Sequence, residues 1–134
     1  SSWWVHDGGY SLSYNGGRRT GPVYVTFTTD KLNATRPPSS SVDPTIPKEC
    51  HQFTVNSYAS VRAGYDRGYL ARKSYDMINI APQVTSFSQC IWVNMEDIEA
   101  CYRNLNRIWS WGGIVYTDVA NDYFFESHGI STPD

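Results

Sequence analysis

The chain has 134 residues, with 11 Lys and Arg against 13 Asp and Glu and a formal net charge of −2 at pH 7. That length is one domain, 1–134, able to bury a core without metal or many disulfides. The near balance of charge excludes a binding mode built on overall charge, and no stretch approaches the roughly 18 apolar residues of a membrane span.

The chain opens with glycine-punctuated segments. Tyr10-Ser-Leu-Ser-Tyr14 alternates and runs into Asn15-Gly16, which predicts a hairpin, because Asn-Gly supplies the positive φ of a tight turn. Val23-Tyr-Val-Thr-Phe-Thr-Thr29 follows as a β-branched and aromatic strand, with Val23, Val25 and Phe27 expected on the core side. Residues 30–49 are a Pro- and Ser-rich loop. Residues 52–55 fit a strand, and residues 56–64 fit a short helix capped by Asn56. Gly64-Tyr-Asp-Arg-Gly-Tyr69 reads as a turn. Ser74–Ile80 and Phe87–Val93 read as strands separated by Pro82. Ile98, Cys101, Tyr102, Leu105, Ile108 and Trp109 recur at three- and four-residue steps, so 95–109 is predicted as one amphipathic helix stopped by Gly112-Gly113. Asn94 would cap it, and Glu96 and Asp97 suit its first turn. Ile114–Thr117 and Asp122–Phe125 complete the strands. The expected architecture is an α+β two-layer sandwich: an antiparallel sheet with one long helix (95–110) and a second short one.

Residues 74–125 resemble the secreted fungal killer-toxin-like group, the small α/β-sandwich killer toxins of smut fungi and the related necrosis-inducing effectors. The resemblance rests on Cys90 at a strand end, then Val93-Asn-Met-Glu-Asp-Ile98, the helix with Glu99-Ala100-Cys101 and Leu105, and the Gly-Gly step into Ile114-Val115. That group is usually richer in cysteine, and residues 1–40 match nothing in it. The resemblance implies a secreted, non-enzymatic effector with no cofactor. Its partner would be a target-cell surface component (protein, lipid or glycan), and not nucleic acid.

Other features fit secretion. The Ser-Ser-Trp-Trp start suits a processed or trimmed chain, Lys is sparse, and Asn33-Ala34-Thr35 is a glycosylation triplet in a polar stretch. Cys50, Cys90 and Cys101 allow one disulfide and one spare thiol, the pairing left open. No Cys/His spacing suits zinc.

Candidate binding residues come from two places. Arg62, Tyr65, Arg67, Tyr69, Arg72 and Lys73 form a basic, tyrosine-bearing loop that suits a channel mouth or anionic head groups. Trp3 and Trp4, with neither strand nor helix burial to explain them, suit sugar stacking in a carbohydrate-binding module or lectin. A third reading is a small secreted ribonuclease, with His6, His51, His128 and Glu49 for proton transfer and the arginine cluster for phosphate. Asp118, Asp122 and Glu126 fit a solvated acidic edge.

Overall fold

The computed structural model describes residues 2–7, 10–28, 40–71, 75–117 and 121–134. Strands β1 (Ser2–Asp7), β2 (Tyr10–Asn15), β3 (Thr20–Thr28) and β6 (Ile108–Gly113) form an antiparallel sheet in the order β1-β2-β3-β6. Strands β4 (Tyr65–Tyr69) and β5 (Ile80–Val84) form a separate antiparallel pair. A continuous helical rod over 85–102 joins β5 to β6. It comprises α1 (Thr85–Phe87), a π-helical turn (Ser88–Trp92) and α2 (Val93–Tyr102). A short α3 (Phe125–His128) lies near the C-terminus. The fold is α+β, with an antiparallel sheet and one long helix.

Alternation builds the sheet. Tyr10, Leu12 and Tyr14 of β2 are buried, and the register sets Leu12 opposite Tyr24 and Tyr10 opposite Thr26 of β3. The inner face of β3 is therefore Tyr24 and Thr26; Val23 is exposed, the reverse of the expected face. A one-residue choice of face exchanges every side chain, and the buried tyrosines of β2 decide it here. The β2–β3 turn is closed by Asn15 Oδ1, which accepts from the N–H groups of Gly17 and Arg18 at 3.0 Å each. Arg19 follows at φ 55°.

The long helix differs from expectation in place and in burial. Residues 87–93 are helical and not a strand. Phe87, Ile91 and Trp92 recur at helical steps, and a short apolar run does not separate the two states. The helix ends at Tyr102, whose carbonyl accepts from Leu105 N–H and Asn106 N–H at 2.9 and 3.2 Å. Asn104 and Asn106 favour that turn. Ile108 and Trp109 then belong to β6, where Ile108, Ser110 and Gly112 face inward and Trp109 and Trp111 outward. The expected core stripe is not buried: Ile98 is 59% exposed and Leu105 80%.

Shorter assignments also change. Gly64–Tyr69 is mostly strand β4, and Pro82 lies inside β5, as a two-stranded pair permits. The segment 56–64 forms only one 3-10 turn, Tyr58–Ser60, capped by Ser57 Oγ rather than Asn56. Residues 114–117 are irregular, and 122–125 lead into α3.

Two apolar clusters fill the interior. One gathers Tyr10, Leu12, Tyr14, Tyr24, Ile46 and Ile78 against the inner sheet face. The other gathers Tyr58, Met77, Ile80, Phe124 and Ile130. Two buried amides between elements, Gln52 and Asn79, are closely matched. Tyr58 Oη donates to Gln52 Oε1 at 2.8 Å, and Gln52 Nε2 donates to the carbonyls of Ile80 and Met77 at 3.0 and 3.2 Å. Asn79 accepts from Ala71 N–H at 2.8 Å and donates to Ala71 O at 2.7 Å.

The three cysteines are free thiols. Cys90 and Cys101 lie on one helical rod, eleven residues or roughly 16 Å apart at the helical rise. A disulfide needs Cα atoms within roughly 7 Å, so that bridge is ruled out, and no disulfide supports the fold.

Candidate active site

Where the β4–β5 pair meets the helical rod, a cleft of about 370 Å³ opens. Strand β4 supplies Asp66, Arg67 and Tyr69, β5 supplies Gln83, the π-helical turn supplies Ser88, Gln89 and Trp92, and α2 supplies Glu96. The antiparallel register sets Asp66 opposite Gln83 and Gly68 opposite Ala81. A Cβ on Gly68 would come within 2.7 Å of the Gln83 Cβ, so glycine there lets Gln83 lie across the strand. The π-helical turn is a feature that recurs at functional sites, and here it carries three of the lining residues.

The side chains of the cleft are partly fixed and partly open. Gln89 Nε2 donates to Asp66 Oδ2 at 3.0 Å. Arg67 donates through Nη2 to the carbonyl of Val55. Tyr69 stands edge-on to Tyr75 at 5.4 Å, and Trp92 lies 5.9 Å from Phe87. Three buried polar atoms of the lining side chains have no hydrogen-bond partner among the described residues: Arg67 Nε, Gln83 Oε1 and Trp92 Nε1. Each such atom costs about 1–3 kcal/mol when left unmatched. Next to the cleft, Glu99 accepts from Ser110 Oγ and ties α2 to β6. Burial, together with the Glu99 and Glu96 carboxylates, pushes the Tyr24 phenol up to about 12.

The charges of the cleft are one guanidinium and two carboxylates. Its donor set, Asp66, Glu96 and the Ser88 hydroxyl, is all oxygen, which suits a hard divalent cation such as magnesium. No group of three or more His, Cys, Asp or Glu side chains assembles among the described residues. The fit is thus to a water-rich ion held by one or two carboxylates together with a substrate phosphate.

The anticipated binding residues scatter. Arg67 and Tyr69 line the cleft, but Arg62 lies 3.7 Å over the Tyr123 ring and Tyr65 packs 5.1 Å from Phe124. Arg72, Lys73, Asn33 and Asp118 lie outside the described residues. Trp3 turns inward to within 6.4 Å of Tyr14, while Trp4 points outward and stacks on His6 at 6.5 Å. Neighbours on a strand face opposite ways, so the two tryptophans form no shared platform. Asp122 Oδ1 accepts from Thr132 N–H at 2.9 Å.

None of the three histidines lines the cleft. His6 bonds Ser11 Oγ at 2.7 Å on the sheet, and His51 Nε2 faces Ile46 O at 2.7 Å. His128 is buried, its Nε2 donating to Asn56 O at 3.1 Å, and burial holds its pKa below the usual value. The arrangement of His6, His51, His128 and Glu49 for proton transfer is therefore absent.

The chain matches the DNA/RNA non-specific endonuclease family over residues 6–134, and it belongs to that family. Among solved structures it is similar to a chain of the crystal structure of the EndoG/EndoGI complex, which addresses the mechanism of EndoG inhibition. The TM-score is 0.57 at 23% identity, over 84% of this chain and 53% of that one. The chain thus spans about half the length of that solved relative. No curated protein sequence matches it.

Family membership overturns the killer-toxin resemblance and what it implied: a non-enzymatic effector, and a partner that is not nucleic acid. A strand, a capped helix and a Gly-Gly step are local features that unrelated folds share. The carbohydrate-binding alternative falls with them, and the nuclease alternative lies nearest, though through other residues. Gln83, Ser88 and Gln89 are not among the sequence candidates, Trp92 falls in a segment that reads as strand, and Glu96 enters only as a helix-end charge. The available signal was Asp66-Arg67 within a glycine-bounded run.

Proposed function

We propose that the chain binds and cleaves phosphodiesters of DNA and RNA in the cleft between β4–β5 and the helical rod. The observation that carries this reading is the convergence of Arg67, Asp66 and Glu96 in one cleft of a chain belonging to a nuclease family. Arg67 holds a non-bridging phosphate oxygen. Its Nη2 contact to Val55 O anchors the guanidinium in place. Tyr69 offers a hydroxyl to a second phosphate oxygen.

With no imidazole lining the cleft, a carboxylate accepts the proton of the attacking water, and Glu96 on the rigid helix is the group we assign. Asp66, held by Gln89, is the second anionic oxygen donor. One guanidinium against two carboxylates would repel a phosphodiester anion, so a divalent cation is expected at Asp66 and Ser88, leaving Glu96 for the proton. When bound, it supplies charge neutralisation of the phosphate and leaving oxygen.

The test is incubation of the purified chain with double-stranded DNA, single-stranded DNA and RNA, in magnesium and in EDTA. The reading predicts cleavage of all three in magnesium and none in EDTA. Intact substrates under every condition would overturn it.

A further inference from the structure

The outer face of the four-stranded sheet carries aromatic rings that neither apolar cluster uses. Trp4 and His6 project from β1, and Trp109 and Trp111 from β6. All four side chains are exposed, Trp4 at 58% and Trp111 at 71%. The register places His6, Ser11, Val25 and Trp111 in one row across the sheet. The two ring pairs therefore share a face, three strand steps or roughly 14 Å apart. Within each pair the rings are nearly parallel. Trp4 and His6 lie 6.5 Å apart at 9°, and Trp109 and Trp111 lie 6.4 Å apart at 22°. That separation is about twice the ~3.4 Å step between stacked bases. No carboxylate stands on this face among the described residues. Just before β6, residues 103–107 enclose a cavity of about 570 Å³, lined by the guanidiniums of Arg103 and Arg107 and the amides of Asn104 and Asn106. Arg107 is exposed and stands two residues before Trp109.

We propose that this outer face binds single-stranded nucleic acid, with unpaired bases stacked on the Trp109–Trp111 and Trp4–His6 pairs and the phosphate backbone drawn to the 103–107 loop. The proposal rests on the nuclease reading for its ligand class and adds a site outside the cleft. A four-stranded sheet with aromatic rings on its open face stacks two or three unpaired bases. Single strands bind where such rings adjoin positive charge, and they do so with little regard for sequence, because every base has a π-face. A duplex does not suit the face, since its bases are already stacked on one another. A second copy of the chain suits it less well than a strand does. It would bury Ser11 and Ser13 at the centre of the contact, where serine is depleted. The face is also linked to the cleft. Ser110 of β6 donates inward to Glu99, one helical turn from Glu96 of the cleft. Strand β6 thus carries the rings outside and abuts the helix of the cleft inside.

The test is fluorescence anisotropy of a labelled twelve-nucleotide thymidine strand in EDTA, beside an abasic strand and a duplex of the same length. The thymidine strand is expected to bind at least tenfold more tightly than the abasic one. Trp111→Ala and Trp4→Ala should each weaken it about tenfold, the scale of one stacked base, and Trp111→Phe should restore most of the loss. Arg107→Ala should flatten the slope of log affinity against log salt by about 0.7, the value of one single-strand phosphate contact. These side chains are exposed, so melting temperatures recorded alongside should stay unchanged. Equal binding of the thymidine and abasic strands would overturn the proposal, as would tryptophan variants that bind like the unmodified chain. A fall in sedimenting mass on Trp111→Ala, with strand affinity unchanged, would assign the face to a second copy and also overturn it. Cleavage in magnesium without tryptophan-dependent binding would leave the cleft standing and remove this site. Tryptophan-dependent binding without cleavage would do the reverse.

Discussion

Two polar regions of this molecule are built from the same kinds of side chain and treated in opposite ways. In the interior, Tyr58 and Gln52 satisfy each other and the carbonyls of Met77 and Ile80, and Asn79 satisfies the backbone of Ala71. In the cleft a few residues away, Arg67, Gln83 and Trp92 each keep a buried polar atom without a partner among the described residues. A matched network contributes to stability, whereas an unmatched one costs free energy until a ligand supplies the missing groups. Unmatched buried atoms also occur away from the cleft, at Thr20 Oγ1 and Thr132 Oγ1 among others, so it is their convergence with Asp66 and Glu96 that marks the cleft. The basic loop 62–73 has the stronger charge, yet Arg62 is spent on the Tyr123 ring.

The comparison can be broken from either side. The largest stability effect is expected on the scaffold side. Asn79→Ala strands the N–H and C=O of Ala71, so unfolding should cost about 4 kcal/mol less. Thermal or denaturant unfolding reads this, and a loss below ~1 kcal/mol would show that the network is not the scaffold described. On the site side, Arg67→Ala should lower the cleavage rate by about 10²–10³, the scale of removing one oxyanion donor. Arg67→Lys should recover part of that rate, because a point charge replaces a fork.

Tyr58→Phe is a smaller change. It removes one hydroxyl and leaves Gln52 Oε1 unmatched, for about 1–2 kcal/mol of stability with cleavage intact. The smallest effect concerns pH. Burial between Tyr58 and Phe124, 4.7 and 5.9 Å away, lowers the folded pKa of His128 beneath its ordinary 6.5. The unfolded chain then binds a proton that the folded chain refuses, so stability is fully present above about pH 6.5 and is lost as pH falls towards the folded value. Urea midpoints between pH 5 and 8 should rise with pH, and His128→Gln should flatten that slope. A flat profile in the unmodified chain would contradict the burial argument.

The comparison also explains what could be read in advance. The β2–β3 hairpin was legible because Tyr10, Leu12 and Tyr14 alternate before Asn15-Gly16. The helix was legible as an element but not in its limits. Phe87–Val93 satisfies strand and helix patterns alike, and Ile108-Trp109 continues a helical spacing while starting a strand. The apolar stripe through Ile98 and Leu105 is exposed, a reminder that periodicity shows a face but not what covers it. Of the cleft, Arg67 and Tyr69 stood out through their glycine-bounded run. Gln83 and Gln89 could not, since they meet Asp66 only through strand register and a π-helical turn, which leave no spacing in the chain.

The proposed function puts the binding and cutting of phosphodiesters in the cleft of Asp66, Arg67 and Glu96. The most direct measurement is the magnesium-dependent cleavage rate of the unmodified chain beside Arg67→Ala and Glu96→Gln, with the melting temperature of each recorded in the same buffer. Cleavage by the unmodified chain is expected, with its loss in both variants at nearly unchanged melting temperature. Variants that cut as fast as the unmodified chain, or no cleavage by any of the three, would contradict it.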